Sequence, residues 1–199
     1  MHIEIVESPS EDPDSSDPEP SDKANFKETD YFSLVEFTDG EVSLSFLEKC
    51  WLDIFNTIGT DELSSIIDVA INSSSHPVKL PDKKITLAIV ATDNTHMCQL
   101  NHQFRNKPLP TNILSFPDGS IDQKQDEYHL GDIFLGFETI NKEAIAQDIP
   151  IKNHAMHLIV HGILHLLGYE HEYEHQAQIM EHKEAAILDI FNIPDPYLL

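Results

Sequence analysis

Apolar positions recur along this chain with two different periods. In KITLAIVA (84–91) they run almost without interruption and are rich in β-branched residues, which predicts a buried strand. TNILSF (111–116) and LGDIFLG (130–136) read as two more strands. Pro, Asp, Gly and a polar stretch separate them, as in a hairpin with a long loop. Elsewhere the spacing is helical. SLSFLEKCWLDIF (43–55) places Phe46, Leu47, Trp51 and Phe55 near a 3.6-residue period. TDELSSIIDVAINSS (60–74) predicts a second helix with Thr60 placed to cap it. DNTHMCQLNHQFR (93–105) predicts a third, with Asp93 as cap and an apolar stripe at Met97, Leu100 and Phe104. Helices over 139–149, 153–167 and about 172–191 follow, ahead of the terminal IPDPYLL. No internal repeat is present. Interleaved helices and strands of this kind predict an α+β or α/β fold with one small sheet.

Length and composition fit a single domain with a tail: 199 residues, 40% hydrophobic, with ten Phe and one Trp. No run approaches the roughly 18 apolar residues of a membrane span, and the first residues carry neither a basic start nor an apolar core of a secretory signal. No membrane association is expected. Cys50 and Cys98 are the only cysteines, which excludes a disulfide framework and a CxxC zinc or redox pair. A cytoplasmic location is the expectation.

The formal charge is −23, a surface that does not draw nucleic acid or anionic membranes by bulk electrostatics. Residues 1–41 hold 13 acidic residues and two basic ones. Ser8 to Asp22 uses only Ser, Pro, Asp and Glu, so nothing in it offsets the entropy of ordering. The chain therefore divides into a short opening strand over 1–6, a disordered acidic low-complexity insert over 7–41, and a folded domain over 42–199.

Twelve histidines are the other anomaly. HGILHLLGYEH (161–171) sets His161 and His165 four residues apart, one above the other on a helical face. A lone histidine on such a face is usually a core residue with a hydrogen-bond partner. A third ligand further along the same helix would lie too far away, since each residue adds about 1.5 Å. Gly168 instead lets the chain end the helix left-handed and turn His171 back. Three histidines on one cation leave a coordination position open, the mark of a catalytic rather than a structural zinc. His157 is placed to support this site, and His154, His175 and His182 are read as structural. Metzincin peptidases share the spacing as HExxHxxGxxH, but their general base is the Glu after the first His. Here that position is Gly162, which cannot take a proton.

Arg105 is the only arginine. It ends helix 93–105, in a local stretch (79–107) that holds Lys79, Lys83, Lys84 and Lys107 against Asp82 and Asp93. Its planar fork suits bidentate phosphate contact in a way Lys does not. Asp132, inside an apolar strand, needs partners and is expected to orient the metal helix or a loop.

HGILHLLGYEH, preceded by FRNKPLPTNILSFP and LGDIF and followed by Met180–Glu181, Glu184 and a terminal DPY, resembles the YbeY family of metal-dependent endoribonucleases. The resemblance is close over 84–199 and rests on helical pattern over 43–83. It implies an α+β fold in which a small mixed sheet is flanked by five or six helices, with the histidine-rich helix near the C-terminus. It implies His161, His165 and His171 as ligands of one zinc or other divalent transition metal, and Arg105 and His161 as catalytic residues. It further implies single-strand-specific cleavage in ribosomal RNA processing, notably at the 3′ end of the small-subunit RNA, and ribosome quality control. The implied partners are ribosomal RNA, the small ribosomal subunit with its proteins, and a ribosome-assembly GTPase. The family usually has Asp before the third ligand; here Glu170 stands there, a candidate base. Metal-assisted hydrolysis of an RNA phosphodiester is the expected reaction. The alternatives are a non-catalytic assembly factor with a structural metal and a zinc peptidase lacking the usual Glu.

Overall fold

The structure, a computed structural model, describes residues 6–7, 31–73 and 76–198. Along the chain these form β1 (Val6–Glu7), β2 (Tyr31–Phe37), β3 (Gly40–Phe46), α1 (Cys50–Ile58), α2 (Thr60–Asn72), β4 (Lys84–Thr92) and α3 (Asn94–Arg105). Then come β5 (Ile113–Asp122), β6 (Glu127–Gly136), α4 (Phe137–Ala146), α5 (Ile151–Leu166) and α6 (Glu174–Ile190). The fold is α+β. One mixed sheet runs in the order β1-β2-β3-β4-β6-β5. The β3–β4 and β4–β6 pairs are parallel and the others antiparallel, so β5 is an edge strand.

Strict alternation decides which sheet face is buried. Val42, Leu44 and Phe46 of β3, Ile85, Leu87 and Ile89 of β4, and Ile133 and Leu135 of β6 all join the main core. That core is closed by α1, α2 and α5, whose Trp51, Ile66, Ile67, Ile159 and Ile163 are fully buried. The opposite face of β5 and β6 carries Leu114, Phe116 and Phe134, since Leu114 pairs with Phe134 and Phe116 with Asp132. α3 covers it: Phe104 meets Phe116 at 4.8 Å between ring centroids, and Phe116 meets Phe134 at 5.7 Å. Helices α3 and α5 thus lie on opposite faces of the sheet, and both pack against β5.

Several sequence expectations need correction. The acidic insert was expected to run to residue 41, but Tyr31–Phe37 is strand β2, with Val35 and Phe37 buried against the core. It forms a hairpin with β3 through Thr38 and Asp39, and the Asp68 carboxylate accepts from Thr38 N (2.8 Å) and Oγ1 (2.6 Å). The folded domain therefore starts before residue 42. Residues 1–5 and 8–30 lie outside the described residues. Of the expected opening strand, Val6 pairs with Phe32. The helix expected over 43–55 begins only at Cys50. Val42, Ser43, Leu44, Ser45 and Phe46 alternate buried with partly exposed, a period of two that the wider helical spacing concealed. Thr60 is not the cap of α2; Gly59 is, at φ 77°. The β5–β6 loop is short, because both strands continue to the Asp122–Glu127 pair. Positions 117–126 are all exposed, so no apolar alternation marked them.

Candidate metal centre

Helix α5 is buried on nearly every side. From residue 157 to 166 only His157, His161 and His165 reach solvent, each one turn after the last. Gly162 is the contact that seats this helix on the sheet. A Cβ there would lie 2.9 Å from both the Ile113 and Ile133 side chains. The position faces the sheet packing and not the histidine stripe, so a peptidase glutamate has no place in it.

The helix ends in a Schellman motif. Gly168 N–H donates to the His165 carbonyl (3.0 Å) and Tyr169 N–H to the Leu164 carbonyl (3.0 Å), with Gly168 at φ 88°. This left-handed residue reverses the chain and returns His171. One ring nitrogen from each of His161, His165 and His171 lies within 4.8 Å of the others. The three rings contact each other at 4.5–5.4 Å between centroids. His171 is exposed, so one side of the cluster is open to solvent.

Hydrogen bonds around the cluster fix which nitrogen is left for a cation. His161 Nδ1 lies 2.9 Å from Glu184 Oε1, and His165 Nδ1 lies 3.0 Å from the Tyr169 carbonyl. Both partners accept only, so each imidazole carries its proton on Nδ1 and presents a bare Nε2. Those two Nε2 atoms face each other at 3.0 Å. Two lone pairs at that separation repel unless a cation lies between them, and nitrogens about 2.0–2.1 Å from a tetrahedral zinc sit roughly 3.3 Å apart. The residues fit a divalent metal. His165 is also kept neutral: burial first, then His161 and His171, push its pKa down to about 4.

Glu184 organises the centre from α6. Its side chain is fully buried, and burial alone would raise its pKa. Hydrogen bonds from His157 (2.7 Å) and His161, together with the Tyr197 hydroxyl, override burial and pull it down to about 2. Burial and the Glu184 charge in turn raise the Tyr197 phenol. His157, expected to support the histidine site, hydrogen-bonds the carboxylate that also holds His161. A second network holds the helix start: His154 Nε2 lies 2.8 Å from Glu143 Oε2, which also accepts from Asn112 Nδ2 at 3.0 Å. Asn112 opens the β5 segment, so α4, α5 and β5 are tied together.

The remaining predicted residues are placed differently. Arg105 is exposed at the end of α3, the helix on the sheet face opposite α5, and its guanidinium makes no ion pair or hydrogen bond among the described residues. Asp132 does not orient α5. It pairs with His129 at 2.9 Å on the sheet face away from that helix. Glu170 is exposed beside His171. Glu184, Tyr197 and the Glu143–His154 pair were missed from residue chemistry. One signal for Glu184 was present: it occupies the buried stripe of α6 with Met180, Ile187 and Leu188, where a carboxylate requires buried donors.

Fold and site together define a small α+β protein with a three-histidine cluster that could hold a metal ion, two of its members on the buried helix α5 and the third past its end. The chain belongs to the YbeY endoribonuclease family: the family profile described as Endoribonuclease YbeY matches residues 53–192. Among curated relatives, the Endoribonuclease YbeY of Rhodopseudomonas palustris is 43% identical over 130 residues, 64% of this chain and 68% of that protein. That of Ehrlichia canis is 36% identical over 157 residues, 79% of this chain and 97% of that one. A solution structure from Thermotoga maritima, covering 76% of this chain and 91% of its own, aligns at 17% identity with a TM-score of 0.46. No helix among the described residues is long and apolar enough to cross a membrane.

Proposed function

We propose that this chain is a cytoplasmic, metal-dependent endoribonuclease that cuts single-stranded RNA, with ribosomal RNA as its substrate. The small-subunit RNA 3′ end is the site of action, in maturation and in quality control. The small subunit with its proteins and an assembly GTPase are the partners. The observation that carries the metal reading is the pair of bare Nε2 atoms of His161 and His165, oriented by Glu184 and the Tyr169 carbonyl, with His171 turned back onto them. The family supplies the RNA reading.

His161, His165 and His171 would hold zinc or a similar divalent cation, which would supply Lewis acidity for phosphodiester hydrolysis. The protein's own residues do the rest. Glu184 and Tyr169 hold His161 and His165 in one tautomer, so no reorganisation is needed when the cation and substrate arrive. Arg105 supplies the free, exposed positive charge that an acidic protein needs to hold a polyanion, and its fork binds phosphate oxygens bidentately. Because α3 and α5 both pack against the edge strand β5, from opposite faces, the RNA strand passes around that edge. One phosphate lies at the histidines and Arg105 holds the backbone beside it. The peptidase reading is disfavoured, since Gly162 packs on Ile113 and Ile133.

The test is the state of ribosomal RNA ends in cells depleted of the protein and complemented with variants. Small-subunit RNA with extended 3′ ends should accumulate, wild type should correct it, and His165→Ala should not. Correction by His165→Ala would favour the non-catalytic assembly factor.

A further inference from the structure

We propose that Phe104, seated on Phe116, is a stacking platform for an unpaired base of the RNA strand held by Arg105. This inference rests on reading the chain as an RNA nuclease. An exposed apolar residue alone means little. Three observations single this one out. The first is geometric: Phe104 is 57% exposed, yet its ring is fixed against Phe116 at 4.8 Å and 59°, leaving aromatic surface turned to solvent. The apolar stripe of α3 starts in the core at Met97, which is fully buried, and emerges from it at Phe104.

The second is charge. Phe104 precedes the only arginine of a −23 chain, and Lys107 follows within the same turn. An aromatic ring flanked by fixed positive charge is what a single strand needs: phosphate on the cation, base on the ring. Stacking of this kind tolerates any base, because each has a π-face, and it excludes duplex RNA, in which both faces of an interior base are covered.

The third is rigidity and a shared footing with the histidine helix. Asn106 ends α3 left-handed at φ 58°, and Asn101 Nδ2 donates to the Leu109 carbonyl at 2.7 Å, so the segment after Arg105 is pinned. Phe116 lies on β5, and its carbonyl and the Leu166 side chain both close on Gly131, at 2.3 and 2.9 Å from where a Cβ would stand. Leu166 follows His165. The strand under the platform and the helix that carries His165 thus pack on one glycine. Phe104 is a specificity residue here.

Equilibrium binding to metal-stripped full-length protein tests this without cleavage. The probes are a fluorescent oligoadenylate and an abasic strand of equal length. Phe104→Ala should weaken oligoadenylate binding about five- to hundredfold and leave the abasic strand unchanged. Phe104→Leu, which keeps an apolar contact with Phe116, should stay weak. Phe104→Trp should restore binding, and oligoadenylate should quench its emission over the constant signal of Trp51, which is fully buried. Arg105→Ala should weaken both strands alike. The platform is wrong if Phe104→Ala affects both strands equally or neither, or if Phe104→Leu binds as wild type. Normal binding by Arg105→Ala with the Phe104 pattern intact would remove Arg105 alone from the account. A wild-type protein that binds neither strand would overturn the RNA reading and the platform with it.

Discussion

Glu184 binds His161 and His157 at once, one carboxylate oxygen on His161 Nδ1 at 2.9 Å and the other on His157 Nε2 at 2.7 Å. Helix α6 thereby sets the orientation of two successive turns of α5. Glu184→Gln keeps the size and one acceptor but loses the charge that anchors the His161 tautomer. Zinc affinity should fall about ten- to hundredfold, the usual effect of losing such a supporting group. Competition with a chromophoric chelator measures it, and unchanged affinity would remove Glu184 from the metal centre.

The metal-free protein should be acid-labile in two windows. His165 has its folded pKa lowered to about 4 from an ordinary 6.5, so between those values the unfolded chain binds a proton that the folded one refuses. Stability is lost as pH falls across that range. Glu184, lowered to about 2 from 4.5, acts in the same direction: its contribution is present above about 4.5 and lost as pH falls toward 2. The thermal midpoint of chelated protein should decline from about pH 6.5 downward, and a flat profile from pH 7 to 3 would contradict both assignments.

Gly168→Ala should destabilise the fold by about 1–2 kcal/mol, the cost of a left-handed non-glycine residue. A Cβ there also meets the Val78 side chain at 2.9 Å. Because the same turn delivers His171, zinc binding should weaken as well. Denaturant unfolding and zinc titration report the two effects, and a variant as stable as wild type would mean the turn tolerates a side chain.

Arg105→Lys keeps the positive charge and loses the fork. Cleavage should drop roughly ten- to hundredfold, corresponding to about 1.5–3 kcal/mol for a charge-assisted contact, while zinc stoichiometry stays at one. Equal rates for Arg105→Lys and wild type would show that charge alone suffices.

The legible parts of this molecule were those whose function and local geometry use the same residues. HGILHLLGYEH needs histidines one turn apart and a glycine at the helix end, and both needs are visible in eleven letters. The Asp93 cap was equally visible, and its carboxylate accepts from His96 N at 2.8 Å. Strand β2 was not, because the acidic composition before it masked the alternation of Val35 and Phe37. Glu184 and Tyr197 lie 13 residues apart and a whole helix away from the histidines they support, a proximity created only by folding. Arg105 was singled out by its isolation, but its place on the helix that covers the far face of β5 and β6 depends on tertiary packing, which no local pattern encodes.

The central claim is that His161, His165 and His171 hold one cation without which RNA is not cut. The most direct measurement follows cleavage of an end-labelled single-stranded RNA by chelator-stripped protein as zinc is restored stepwise, with circular dichroism recorded on the same samples. Cleavage should be absent in the stripped protein and return at one equivalent with the spectrum unchanged throughout, while His165→Ala stays inactive at every zinc level. Undiminished cleavage by the stripped protein, or by His165→Ala, would contradict the claim.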